Sequence, residues 1–227
     1  YLPPLMVYAA YGVSGLTSIV GTLWVKEFLP EASPAFLASV LFWAGIPWAL
    51  KMPVGHIVDL NWCWKALLVW LGAAMIAASL LIMIALIGHR EAMSGVMTAT
   101  QWFVLSSLLA PTGYMIQDSV ADAMTVEAVP REDQSGKRYD EPTMKSMHTT
   151  MQTLGRVALI GGLALVSAAN IYVLHGTDEL SAEAKAALYA NVYTAALIIP
   201  VISVLGVILH RFLKHQRPRF EKTAPNW

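Results

Sequence analysis

Apolar residues run along this chain in long blocks, and the polar and charged residues crowd into the gaps between them. Six blocks stand out, at residues 3–24, 34–52, 62–88, 97–124, 145–173 and 189–213. Each is about the 20 residues or more that a helix needs to cross the hydrocarbon of a bilayer. A soluble core of the same length is built from shorter elements with a polar face at helical or strand period, and these blocks lack that face. The pattern predicts an all-α integral membrane protein with six transmembrane helices. Pro3 and Pro4 fit the first turn of a helix, where the missing N–H has no partner to lose. Pro53 and Gly55 predict a break after the second block. Residues 89–95 read as a tight connection and 129–143 as a charged loop. Residues 175–188 read as an acidic loop with a surface helical turn or two, capped by Ser181 with Glu183 behind it.

Composition agrees with the pattern: 56% of the 227 residues are hydrophobic, 13% are charged and the mean hydropathy is +0.55. Soluble domains carry about 25% charged residues. The net charge of zero predicts no nucleic-acid partner. Cys63 is the only cysteine, so neither an intrachain disulfide nor a thiolate metal cluster is available. The chain opens on Tyr1 without a methionine, and its start is expected to be trimmed.

Lys and Arg set the expected orientation. If the first span leaves the cytoplasm, eleven basic residues fall on the inner side: Lys51, Lys65, Arg131, Lys137, Arg138, Lys145, Arg211, Lys214, Arg217, Arg219 and Lys222. The outer side receives three, Lys26, Arg90 and Lys185, and Arg156 stays within a span. Both termini are therefore expected in the cytoplasm, residues 214–227 forming a basic tail or the start of a linker. The expected location is the cytoplasmic membrane.

The segment between the second and third blocks holds Gly55, Asp59 and Lys65. A glycine, a carboxylate four residues on and a base six beyond it resemble the signature loop of the major facilitator superfamily, with Leu60, Trp62 and Cys63 where Arg, Gly and Arg are usual. Such a loop would latch a gate: the glycine admits a neighbouring helix, and the carboxylate pairs with a helix end or base in one conformation. Further runs narrow the likeness. They are Lys26-Glu27-Phe28-Leu29, then Ser33-Pro34-Ala35, then Pro47-Trp48-Ala49-Leu50-Lys51 leading to Gly55 and Asp59, and Asp118, Asp122-Ala123 and Glu127. Together they resemble the folate–biopterin transporter group of that superfamily over about residues 5–130, the remainder matching by topology only. The resemblance implies a six-helix half of a facilitator fold, an inverted three-plus-three repeat. The superfamily's R-x-x-x-x-G pattern in span four is absent, and acids stand there instead.

Asp118 and Asp122 lie four apart and share a helix face, with Tyr114 near that stripe and Gln117 beside it. A carboxylate inside a span costs about 2.5–3.5 kcal/mol on insertion scales, so it is expected to face a bundle interior or wet cavity. Asp122 is close to the predicted inner end and also fits an ordinary interfacial acid; Asp118 lies a turn deeper. Arg156 is about 15 Å into span five at 1.5 Å per residue. An Asp118–Arg156 pair would spare two unpaired buried charges, either as a structural ion pair or as one that opens for a proton or an anionic substrate. Gly161-Gly162 reads as a helix contact. His56 and His148 read as solvated, the eleven methionines as packing filler, and Trp24, Trp43, Trp48, Trp62, Trp64 and Trp102 as an interfacial aromatic belt.

No Ser-His-Asp spacing, phosphate-cradling glycine loop or H-E-x-x-H run supports an enzyme, and no cofactor is implied. The expectation is the N-terminal half of a secondary active transporter for a small organic, pterin- or folate-like anion, coupled to protons. Asp118, Asp122, Arg156, Gln117 and Tyr114 would line the substrate and proton pathway; Gly55, Asp59, Lys65 and Lys51 would gate it. One half cannot enclose an alternating-access path, so a second six-helix half is expected, in a longer chain or in another copy. The alternative is a non-transporting subunit docked with other membrane subunits. The lipid bilayer is a partner in either case.

Overall fold

The computed structural model describes residues 2–61, 64–133 and 135–216. Trp62 and Cys63 of the expected gating loop, and residues 217–227 of the expected tail, lie outside them. Among the described residues there are ten α-helices: α1 (Leu2–Val13), α2 (Gly15–Phe28), α3 (Pro34–Ala49), α4 (Lys51–Leu60), α5 (Lys65–Gly88), α6 (Arg90–Ser94), α7 (Ala99–Ala128), α8 (Glu141–Leu174), α9 (Ala182–Ala196) and α10 (Ile198–Gln216). A 3-10 turn covers Thr177–Glu179. The only extended pairing described is an isolated bridge between Glu132 and Arg138.

Local chemistry starts several of these helices. The Ser33 hydroxyl accepts from Phe36 N at 3.1 Å, with Pro34 in the first turn. Thr98 and Gln101 form a reciprocal capping box at the head of α7. Ser181 caps α9 as expected, its hydroxyl accepting from Ala184 N at 3.3 Å. The surface turn predicted after Ser181 is instead the first part of a helix that continues to Ala196.

Among the described residues, five helical stretches are long and apolar enough to cross a membrane: Leu5–Phe28, Pro34–Leu60, Lys65–Gly88, Glu141–Leu174 and Ala182–Gly206. The expected fourth span, α7, is not among them, although at 30 residues it is about 45 Å long at 1.5 Å per residue. Its Gln, Ser, Thr and Asp residues keep its hydropathy down. Its position accounts for them, because α7 packs on α5 along most of its length and also on α1, α3 and α4. A helix surrounded by protein can carry polar groups that a lipid-facing one cannot.

The predicted break at Pro53 and Gly55 is corrected. The second span bends earlier, at Leu50, whose backbone sits at φ −87° and ψ 4° between α3 and α4. Pro47 in the last turn of α3 lacks the N–H for a bond to Trp43 and so weakens the helix there. Pro53 falls in the first turn of the new helix, where a missing N–H costs nothing. The chain then stays helical to Leu60, so Gly55 and Asp59 are on a helix rather than in a loop. This lengthening also moves Trp48 away from the span end: its ring lies 5.0 Å from that of Tyr11. Trp24 is buried against Phe28, so neither tryptophan belongs to an interfacial belt.

Spans α1–α2 and α8 run parallel, since Tyr8 meets Gly155, Gly12 meets Leu159 and Gly162, and Gly15 meets Leu163 and Val166. The expected contact at Gly161-Gly162 is therefore made by Gly162 alone; a Cβ on Gly161 would meet nothing within 4 Å. One end of the bundle is tied by Lys185 Nζ to Glu27 Oε1 at 2.7 Å and by Arg90 Nη1 donating to Phe28 O at 2.8 Å. At the other end, α7 and α8 are joined by a turn in which Asp133 Oδ1 accepts from Ser135 Oγ, Ser135 N and Lys137 N. Those donors, the Ser135 hydroxyl first, hold the Asp133 carboxyl below the ordinary carboxylate range.

Candidate functional site

Helices α1, α4, α7 and α8 enclose a cavity of about 700 Å³ that is open on one side. Asp118 and Asp122 enter it from successive turns of α7. Asp118 is buried, while Asp122 is half exposed. Between them sits Lys51, whose ammonium donates to Asp118 Oδ2 and lies 2.8 Å from Asp122 Oδ2. The other oxygen of Asp122, Oδ1, accepts the hydroxyl of Tyr8 from α1. Two carboxylates, one ammonium and one phenol thus form a chain across three helices.

Lys51 reaches this place because the second span runs on past it. It is the first residue of α4, nine residues before the helix end at Leu60, about 13.5 Å at 1.5 Å per residue. A helix stopping at residue 52 would have put Lys51 at the membrane surface, so a sequence reading that stops the helix there finds Arg156 as the only partner for Asp118. The expected Asp118–Arg156 pair is not formed. Arg156 lines the same cavity from α8, exposed and without an ion pair within 4 Å among the described residues.

The other expected site residues divide. Asp59 and Gly55 line the cavity from α4. A Cβ on Gly55 would meet nothing within 4 Å, so the close helix approach expected there is absent. Lys65 opens α5 away from the cavity lining. Tyr114 is buried one layer deeper, its ring 5.7 Å from that of Tyr11, which does line the cavity. Gln117 points the other way. Its Nε2 donates to Val69 O at 3.1 Å, and its Oε1 accepts the Ser203 hydroxyl at 3.0 Å. It ties α7 to α5 and α10 and does not face the cavity, lying about 100° from Asp118 around a helix of 3.6 residues per turn. Replacing Gln117 with leucine is expected to cost about 1–2 kcal/mol through the loss of its two hydrogen bonds to Val69 and Ser203. Thermal melting in detergent reads this, and ligand affinity should be unchanged; a large affinity loss without a melting change would place Gln117 in the pathway after all.

Tyr8 and Tyr11 are the site residues that sequence reading did not single out. The available signal was two hydroxyl groups three residues apart on the first span, at the depth of the acids on the fourth.

No protein family, curated protein or solved structure matches the chain.

Proposed function

We propose that this chain is one six-helix half of a secondary active transporter, built as a facilitator-type three-plus-three repeat, for a small organic anion of the pterin or folate class. The observation that carries the reading is the Lys51 ammonium held by two carboxylates beside a roomy cavity that also presents an exposed Arg156. Charged groups at span depth mark substrate and proton paths. A volume of about 700 Å³ lies within the range of small-molecule sites. Tyr11, backed by Trp48 and Tyr114, supplies an aromatic wall for a planar ring.

In this cycle a proton taken up by Asp118 neutralises the buried partner of Lys51 and releases the ammonium from it. Lys51 and Arg156 then hold the anion together. When the anion leaves, Lys51 returns to the carboxylates and expels the proton. Alternating access requires a second six-helix body facing the cavity, either a further part of a longer chain or another copy. The proposed setting is the cytoplasmic membrane with both ends inside, as the excess of Lys and Arg on one side favours.

The test is gradient-driven uptake of radiolabelled folate or a reduced pterin into proteoliposomes. Asp118→Asn is expected to lose accumulation against the gradient while inserting normally, because the amide binds no proton. Accumulation by Asp118→Asn at the parent rate would sink the proposal.

A second reading, a non-transporting subunit of a larger membrane assembly, has one observation in its favour. The apolar windows of Pro34–Leu60 and Glu141–Leu174 are only 6% and 17% buried, against 39% for Lys65–Gly88. A stable stoichiometric complex with other membrane subunits and no uptake of either solute would select it.

A further inference from the structure

The cycle just described uses the two acids and the two cations of the cavity and leaves Tyr8 without a task. Tyr8 is buried and touches two things at once. Its hydroxyl donates to Asp122 Oδ1, the oxygen that Lys51 does not use. Its ring lies on the backbone of α8 at Gly155: a Cβ there would come within 2.7 Å of Tyr8 Cε2 and 2.9 Å of Cδ2. Gly155 immediately precedes Arg156. One side chain of α1 therefore spans from the helix that carries Arg156 to the carboxylate that shares Lys51.

We infer that Tyr8 is a positioning residue that ties the place of α8 to the choice of carboxylate holding Lys51. A hydroxyl donating to Oδ1 draws charge from the Asp122 carboxylate, and this leaves Asp118 the stronger partner for the ammonium. The two partners differ in access, since the side chain of Asp118 is 7% exposed and that of Asp122 is 49% exposed. With the hydroxyl in place, Lys51 is drawn inward to the buried acid. Without it, or with the ring displaced by a shift of α8, Asp122 regains its full charge and draws Lys51 toward the open side. The charged groups facing the phenol, Asp118, Asp122, Lys51 and Arg156, come from three different helices. Tyr8 is one contact through which a movement of α8 reaches the other two. The link rests on the transport reading for its purpose, but it is measured without transport.

Its readout is the rate at which Lys51 is acetylated by acetic anhydride in the full chain in proteoliposomes, followed by mass spectrometry. Lys185, ion-paired to Glu27 at the far end of the bundle, serves as the internal reference. Tyr8→Phe keeps the ring on Gly155 and removes only the hydroxyl. It is expected to raise the Lys51 rate by about tenfold, the scale of one lost hydrogen bond to a charged group, with the Lys185 rate unchanged. Gly155→Ala keeps the hydroxyl but displaces the ring and is expected to act in the same direction. The double variant should be no faster than Tyr8→Phe alone, because both changes cut one link. Unchanged Lys51 acetylation in Tyr8→Phe overturns the inference, and that variant decides alone if Gly155→Ala does not insert. A purely structural role would move the Lys51 and Lys185 rates together, which equally overturns it. A chain that accumulates neither folate nor pterin, yet shows the Lys51 response, loses the transport reading and keeps this link.

Discussion

Lys51→Met is expected to lower the stability of the bundle by about 3 kcal/mol and to abolish uptake. Asp118 is buried and its ammonium partner is Lys51. Removing one member of such a pair strands the other charge away from water, which costs far more than the pair contributes. Two features hold the loss near the lower end of the range. Lys51 is itself about one-third exposed, and a stranded Asp118 escapes by taking a proton. Lys51→Met together with Asp118→Asn should recover most of the stability, because an amide beside an apolar stem carries no net charge. It should recover none of the uptake, since both the proton acceptor and the mobile cation are then gone. Melting temperatures in detergent for the two singles and the double form a cycle whose coupling term isolates the pair. Additive losses would show that Lys51 and Asp118 do not depend on each other, and the site as described would fall.

The same residue shows how far the sequence could be read. The apolar blocks are legible because a membrane span needs a long unbroken run, so the start of α3 follows from pattern alone, whereas α5 begins at Lys65 rather than 62 and α8 at Glu141, inside the expected loop, rather than at 145. Asp118 stands out for a related reason: a carboxylate in such a run is costly and needs a purpose. What the pattern does not show is where a helix bends without ending. Pro53 and Gly55 look like punctuation, but a proline is harmless in the first turn of a helix, and the bend at Leu50 had already created one. That single misplaced boundary turned Lys51 from a span residue into a surface residue and left Arg156 as the apparent partner of Asp118. Gln117 and Tyr8 failed in opposite directions. Gln117 is adjacent to Asp118 in sequence and faces another helix, whereas Tyr8 lies 114 positions from Asp122 and bonds to it. Contacts between helices depend on rotation about each axis, and local sequence holds little of that.

Gly12→Val is expected to prevent assembly of the bundle or to destabilise it by at least about 3 kcal/mol, the upper end of the usual cost of overpacking. A Cβ at Gly12 would lie 2.4 Å from the Leu159 carbonyl oxygen and 3.0 Å from the Gly162 Cα. Both are backbone atoms, so no side chain can turn aside; the two helices would have to part. Parting them also lifts Tyr8 from Gly155 and Gly15 from Leu163 and Val166, which removes packing along much of the parallel contact. Packing is what holds helices together once lipid has replaced water around them. Gly161→Val is the matched control: it adds the same atoms one residue from Gly162, where a Cβ meets nothing within 4 Å. Valine is no worse than glycine for helix formation, so the isolated chain should melt as before. The two variants then separate the inner face of α8 from its outer one. If a second six-helix body or another subunit lies against the outer face, Gly161→Val will leave the chain folded and weaken that association in crosslinking. If lipid lies there, neither stability nor association will change.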